Sequence, residues 1–274
     1  MKLMIMGDLH YPGELVDADD RMNEARDTFF GQYLQEFLAA EADYYISVGD
    51  LTHAGSASEF KFIMQNVEQA LPDSPGRFLY VLGNHDTHAC SKTDIQNLTG
   101  QPRYMAIEEA EAVILLLDTA RETPEDWSGA IDEDQLEWLR SQMTQYGHKP
   151  LLVFAHHPVY NTTARSTEPM MSLEPDLDLL SILDKHQGPG IFFSGHNHVR
   201  SMIRRGSWSF VQTTAVPDAP EATVINLQGE DIRIETVQLC AAQYRELAEI
   251  FVKSMYDYDP RPYVEEEAIE EGSA

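Results

Sequence analysis

Cysteine is almost absent from this chain. Cys90 and Cys240 are the only two in 274 residues, too few and too far apart for a disulfide framework, so a reducing cytoplasm is the expected location. Long apolar runs are missing as well, and nothing approaches the roughly 18–20 residues that a membrane span needs. The first six residues, MKLMIM, run straight into Gly7-Asp8 without a small-residue cleavage site, which reads as a first strand and not as a leader. Positive charge is scarce: 19 Lys and Arg face 46 Asp and Glu, a formal net charge of -27. Stable binding to nucleic acid needs basic side chains that displace counterions from phosphates, and this composition argues against it. Part of the negative charge sits in a C-terminal tail, residues 265–271, expected to be solvated.

What is present is a folded composition, 43% apolar and 9% aromatic. Apolar runs of strand length occur at residues 3–6, 44–48, 78–82, 112–117, 151–155 and 191–193. Helical patterns lie between several of them. Residues 25–38 place Ala25, Phe29, Phe30, Tyr33, Leu34, Phe37 and Leu38 on one stripe at three- and four-residue steps. Residues 58–71 repeat the pattern, 132–143 open with acids suited to a helix N-terminus, and 177–183 form a shorter candidate. Alternating strands and helices predict an α/β fold. Beyond residue 200 the runs 201–203, 209–213, 222–227 and 231–237 are expected to be antiparallel strands completing a second sheet. A last helix, 242–255, offers Leu247, Ile250 and Phe251 to its own core or to a second subunit, which leaves a homodimer open. With no repeat and no linker, one domain is expected, residues 1–240, followed by the C-terminal helix and acidic tail over 241–274.

Five of the strands end in polar clusters: Gly7-Asp-Leu-His10, Gly49-Asp-Leu-Thr52, Gly83-Asn-His-Asp86, Ala155-His-His-Pro158 and Ser194-Gly-His-Asn-His198. The last poses the problem most sharply, since a buried strand has no structural need to end in two histidines one residue apart. If the strand conformation persists, His196 and His198 share a face. Each cluster alone has an ordinary reading as a cap, a turn or a strand exit. Eight of the ten histidines lie in or beside these clusters, and ligands in open α/β sheets gather beyond the carboxyl ends of strands. Carboxylate, imidazole and amide oxygen together suit first-row transition metals better than calcium or a thiolate cluster. Seven such donors are too many for one tetrahedral ion and suit two ions that share a carboxylate.

The order Asp-x-His, Gly-Asp, Gly-Asn-His-Asp, His-His-Pro, Gly-His-x-His resembles the calcineurin-like metallophosphoesterases, most of all their class III cyclic-nucleotide phosphodiesterase branch, over roughly residues 1–215. The resemblance implies a four-layer α-β-β-α sandwich of two mixed sheets flanked by helices. It implies two divalent or mixed-valent ions (manganese, iron, zinc or cobalt), one held by Asp8, His10, Asp50 and His198, the other by Asp50, Asn84, His156 and His196. His157 is the alternative to His156. His85 corresponds to the family's non-ligand histidine near the phosphate, and Asp86 is expected to orient His85 or its loop. The implied activity is hydrolysis of a small soluble phosphodiester, cyclic nucleotide or glycerophosphodiester-like, by in-line attack of a metal-bridging hydroxide with Asp50 and His85 in catalytic roles. A phosphomonoesterase or nucleotide pyrophosphatase, and a non-catalytic metal-binding scaffold, are the competing expectations. Two divalent ions would leave the site positive within an acidic chain, which reconciles the composition with an anionic substrate.

Weaker signals surround the motifs. His53 and His88 flank the second and third clusters; His53 is read as a plain loop histidine in preference to a substrate contact. Arg200 is expected to pair with acids, and Trp127 and Trp138 to pack. The polar stretch 161–175, with Arg165 inside it, is either a cap on the pocket or a surface loop.

Overall fold

The computed structural model describes residues 1–229, 231–239 and 243–261. Eleven strands form two sheets among these residues. The first sheet contains β1 (Lys2–Met6), β2 (Tyr44–Ser47), β3 (Phe78–Tyr80), β10 (Glu221–Gln228) and β11 (Asp231–Gln238) in the order β11-β10-β1-β2-β3. β1, β2 and β3 are parallel, β10 pairs antiparallel with β1, and β11 pairs antiparallel with β10. The second sheet has the order β4-β5-β6-β7-β9-β8, from β4 (Met105–Glu108), β5 (Val113–Leu116), β6 (Leu151–Phe154), β7 (Gly190–Ser194), β8 (Ser201–Arg205) and β9 (Trp208–Gln212).

Strand alternation decides the layering. In β1, Leu3 and Ile5 face inward onto Ile114, Leu116, Phe154 and Phe193 of the other sheet, while Met4 and Met6 face outward. The outward side of the first sheet is covered by α1 (Asp20–Ala39), α2 (Ala57–Ala70) and α6 (Gln243–Phe251), through Phe29, Phe30, Tyr33, Phe60 and Phe251. α4 (Glu133–Gln145) and α5 (Leu179–Leu183) cover the second sheet through Leu136, Leu139, Leu179 and Ile182. The result is the four-layer α-β-β-α sandwich. Helix starts follow side-chain chemistry: Asp19 caps α1, Ser56 and Glu59 form a capping box on α2, and Asp132 caps α4.

The last third departs from expectation. The four late strands do not all complete the second sheet. β8 and β9 form a hairpin there, with β9 parallel to β7, whereas β10 and β11 return to the first sheet beside β1. An apolar, β-branched run fits either sheet, so composition alone does not choose. α3 (Lys92–Thr99) and β4 have no counterpart among the expected elements. α6 packs on α1, with Phe251 fully buried and Leu247 and Ile250 partly buried against the same core, so these side chains turn to their own chain. Cys240 and the acidic run 265–271 lie outside the described residues.

Candidate metal centre

The exits of β1, β2, β3, β6 and β7 meet at one edge of the sandwich. Backbone bonds join them in pairs. His10 N–H donates to the Asp50 carbonyl (2.8 Å) and Gly195 N–H to the His156 carbonyl (2.9 Å). Across the two sheets, His196 N–H donates to Asp8 Oδ2 (2.8 Å). A Cβ at Gly195 would stand 1.9 Å from Asp8 Oδ1, and one at Gly83 would stand 2.1 Å from Asp50 Oδ1. Glycine before the motif is therefore a condition of close approach.

His196 and His198 do not continue the strand. Their φ angles are +69° and +56°, and His10 and Asp50 are left-handed too, at +49° and +46°. The expected reason for convergence, strand alternation, is replaced by a left-handed backbone at the β1, β2 and β7 exits. Such residues are strained outside glycine and gather where a site over-determines them.

The left-handed turns send the two histidines into different groups. In one, His198 Nε2 lies 3.1 Å from His10 Nε2 and 3.2 Å from Asp8 Oδ2. In the other, His196 Nδ1 lies 3.0 Å from Asn84 Oδ1 and 3.2 Å from His156 Nε2, which is itself 3.1 Å from Asn84 Oδ1. Asp50 Oδ2 stands between the groups, 3.5 Å from His10 Nε2 and 3.4 Å from His156 Nε2. Facing imidazole nitrogens at such distances need a proton or a cation between them. Asp8 Oδ1 is buried without any hydrogen-bond partner, the kind of orphaned acceptor that a cation satisfies. All seven residues named from the sequence come together, and their donors fit a pair of cations.

Outer contacts aim each ring. His156 Nδ1–H donates to the Val48 carbonyl (3.0 Å) and His196 Nε2–H to the Met170 carbonyl (2.9 Å), which leaves the inward nitrogens as the ones that could face a cation. His157 differs: Nδ1 accepts from the Thr119 hydroxyl (2.9 Å) and Nε2–H donates to the Trp127 carbonyl (3.0 Å). Both its nitrogens are engaged, so His156 is the one that faces the cluster. Beyond His198, Asp218 Oδ2 lies 3.8 Å from Nδ1; this residue was not anticipated, because it sits twenty positions past the last motif.

Charge follows burial and proximity. Burial opposes the positive form of His156, yet the Asp50 carboxylate raises it to about 9. His198 is raised against the same burial by Asp8. His10 is pulled well below its usual range by burial, as is His196, down to about 3, with His156 adding to the effect. Burial likewise opposes the charge of Asp50, but His156, His85 and His10 hold its carboxyl well below the usual range.

The neighbouring residues resolve as follows. His85 N–H donates to Asp50 Oδ1 (2.8 Å), and its Nδ1–H donates to the His53 carbonyl (2.7 Å), which leaves Nε2 as the uncommitted nitrogen. Asp86 accepts from Gly83 N–H, Leu51 N–H, Thr52 N–H and the Thr52 hydroxyl; it ties the β2 and β3 exits together and leaves the His85 ring to His53. His53 is buried against His10 and His85, contrary to the loop reading. Trp127 also departs from expectation: its side chain is exposed, and its carbonyl carries the contact. Trp138 packs on Tyr104, and Arg200 pairs with Glu221. The 161–175 stretch lies on the cluster: Met170 reaches His196, and Asn197 donates to the Ala164 and Met171 carbonyls.

Residues 1–200 match the family model described as calcineurin-like phosphoesterase. The chain belongs to the calcineurin-like phosphoesterase family. Members of that family bind a dinuclear divalent metal centre, and this chain carries candidate His and Asp ligand groups. Among curated relatives, the glycerophosphodiester phosphodiesterase GpdQ of Enterobacter lignolyticus is 27% identical over 61% of this chain and 60% of its own length. A Rhodopseudomonas palustris protein named "Probable cyclic nucleotide phosphodiesterase" is 26% identical over 57% of this chain and 56% of its own. The matched stretch thus spans little more than half of these relatives. Among solved structures, a dimetal phosphatase from Danio rerio shares the fold with a TM-score of 0.64 at 16% identity, covering 87% of this chain and 99% of that one. Among the described residues no helix is long and apolar enough to cross a membrane.

Proposed function

We propose that this calcineurin-like phosphoesterase hydrolyses a small soluble phosphodiester with two first-row transition ions, drawn from manganese, iron, zinc and cobalt. The observation that carries the reading is Asp50 Oδ2 standing between two groups of inward-facing donors. Asp8, His10 and His198 would complete one ion's set, and Asn84, His156 and His196 the other's. Bound there, the ions would supply charge neutralisation for phosphate oxygens and acidify water near neutrality.

The protein contributes orientation and proton handling. His85 is anchored at both N–H and Nδ1, so Nε2 is left to hold a proton for the leaving oxygen. Beside it opens a cavity of about 770 Å³, bordered by Leu15, Val16, His53, His88 and Tyr256, with Glu14 and Asp257 at the rim. No Lys or Arg is among its described lining residues. A second phosphate would find no cation there, which favours an uncharged leaving alcohol over the nucleoside diphosphate of a pyrophosphatase. A cytoplasmic location is part of this proposal, favoured by the scarcity of cysteine.

Turnover of bis-p-nitrophenyl phosphate beside p-nitrophenyl phosphate, on manganese-loaded protein, tests the reading. The diester is expected to be cleaved faster. Preference for the monoester would overturn the diesterase assignment, and turnover of neither would favour a metal-binding scaffold.

A further inference from the structure

After α6 and a 3-10 turn at Val252–Ser254, the chain crosses the edge of the candidate metal centre. Val16 N–H donates to the Ser254 carbonyl (2.8 Å), and Met255 is buried in the core beneath. The next residues pass over three histidines. The Tyr258 ring lies 5.6 Å from His198, tilted 29° from parallel, and edge-on to His10 at 5.2 Å. The Tyr256 carbonyl accepts from His53 Nε2–H. The other nitrogen of His53, Nδ1, is 3.4 Å from His10 Nδ1.

These contacts admit one arrangement of protons for neutral rings. A carbonyl can only accept, so His53 must carry its proton on Nε2. Its Nδ1 is then a lone pair. His10 must in turn place its proton on Nδ1 and keep Nε2 bare, and Nε2 is the nitrogen that faces Asp50 and His198. A backbone oxygen of the C-terminal strap thus determines, through one intervening ring, which nitrogen of His10 is available to a cation.

We propose that His53 is a positioning residue of the metal centre, fixing the tautomer of His10 through Nδ1 while the strap at Tyr256 fixes His53 through Nε2. Cation affinity in the group containing Asp8, His10 and His198 is then coupled to closure of the strap. The proposal rests on the two-cation reading, but not on the substrate. Its readouts are metal binding and strap protection, so failure of the diesterase assay leaves it intact.

Three substitutions in the full-length protein separate the two contacts. An asparagine side chain reaches about as far as Nδ1, and a glutamine as far as Nε2. His53→Asn keeps an acceptor for His10 and loses the strap. His53→Gln keeps a donor for the strap and loses the acceptor. His53→Ala loses both. Equilibrium dialysis against manganese with elemental analysis reads the first contact; rates of tryptic cleavage at Lys253 and of chymotryptic cleavage at Tyr256 read the second. His53→Ala and His53→Gln are expected to bind one of the two ions about 10–100-fold more weakly, the range for loss of an outer hydrogen bond to a ligating histidine, with His53→Asn within a few-fold of the parent. Strap protection is expected to follow the opposite order, kept in His53→Gln and lost in His53→Asn and His53→Ala. Should His53→Ala not fold, as judged by its melting curve, the contrast between the Asn and Gln variants still decides. Parental manganese affinity in all variants, or Asn and Gln variants that behave alike in both readouts, would overturn the proposal.

Discussion

At His85 the main chain and the ring have separate tasks. The N–H steadies Asp50, while the ring is held by the His53 carbonyl at the lining of the cavity. His85→Ala removes the ring and keeps the N–H, so two manganese ions per chain should remain bound while kcat falls about 10²–10⁴-fold, the usual contribution of a general acid. Elemental analysis and steady-state kinetics check both halves, and a parental rate on an ester with a poor leaving group would remove the assignment. At this scale the converging donor types were legible in the sequence, since Asp, Asn and His recur at the strand ends that meet. Their conformations were not. The left-handed φ of His10, Asp50, His196 and His198 has no decisive signature, because Asp and His are enriched in that region yet adopt it only in a minority of cases. Nor does His53 announce its contact with His10, because the strap that orients it lies some two hundred residues further on.

Among the elements, Asp86 is the joint between two strand exits. It is fully buried and accepts from four donors, three of them backbone or hydroxyl groups at Leu51 and Thr52. Asp86→Ala would strand those donors, which costs about 3 kcal/mol by the usual penalty for unpaired buried polar groups, and would loosen Asp50 and Asn84 together. Chemical denaturation of the variant is expected to show that loss along with weakened manganese binding; an unchanged midpoint would contradict the account. The main helices were legible because α1, α2 and α4 keep an apolar stripe at helical spacing. α3 was not, since Ile95 is its only buried residue and the Ser91–Asp94 capping box stands in place of a stripe. β4 is half-exposed over Met105–Ile107 and exposed at Glu108, so its short apolar run lacks the burial of a core strand. The allocation of β10 and β11 to the first sheet depends on which edge β1 leaves free, a property of the whole topology.

Across the whole molecule the metal centre is a seam. The first sheet delivers Asp8, His10, Asp50 and Asn84, and the second delivers His156, His196 and His198. Each candidate ion would draw donors from both. The excess of acidic residues then has a place beside an anionic substrate, because positive charge would be concentrated where the sheets meet and not spread over the surface. The measurement that tests this most directly is anomalous X-ray diffraction from crystals of the manganese-loaded protein. Two manganese peaks about 3.5–4 Å apart, with the Asp50 carboxylate between them, are expected. A single peak, or a pair lying away from Asp50, would contradict the shared-carboxylate centre on which the proposed hydrolysis depends.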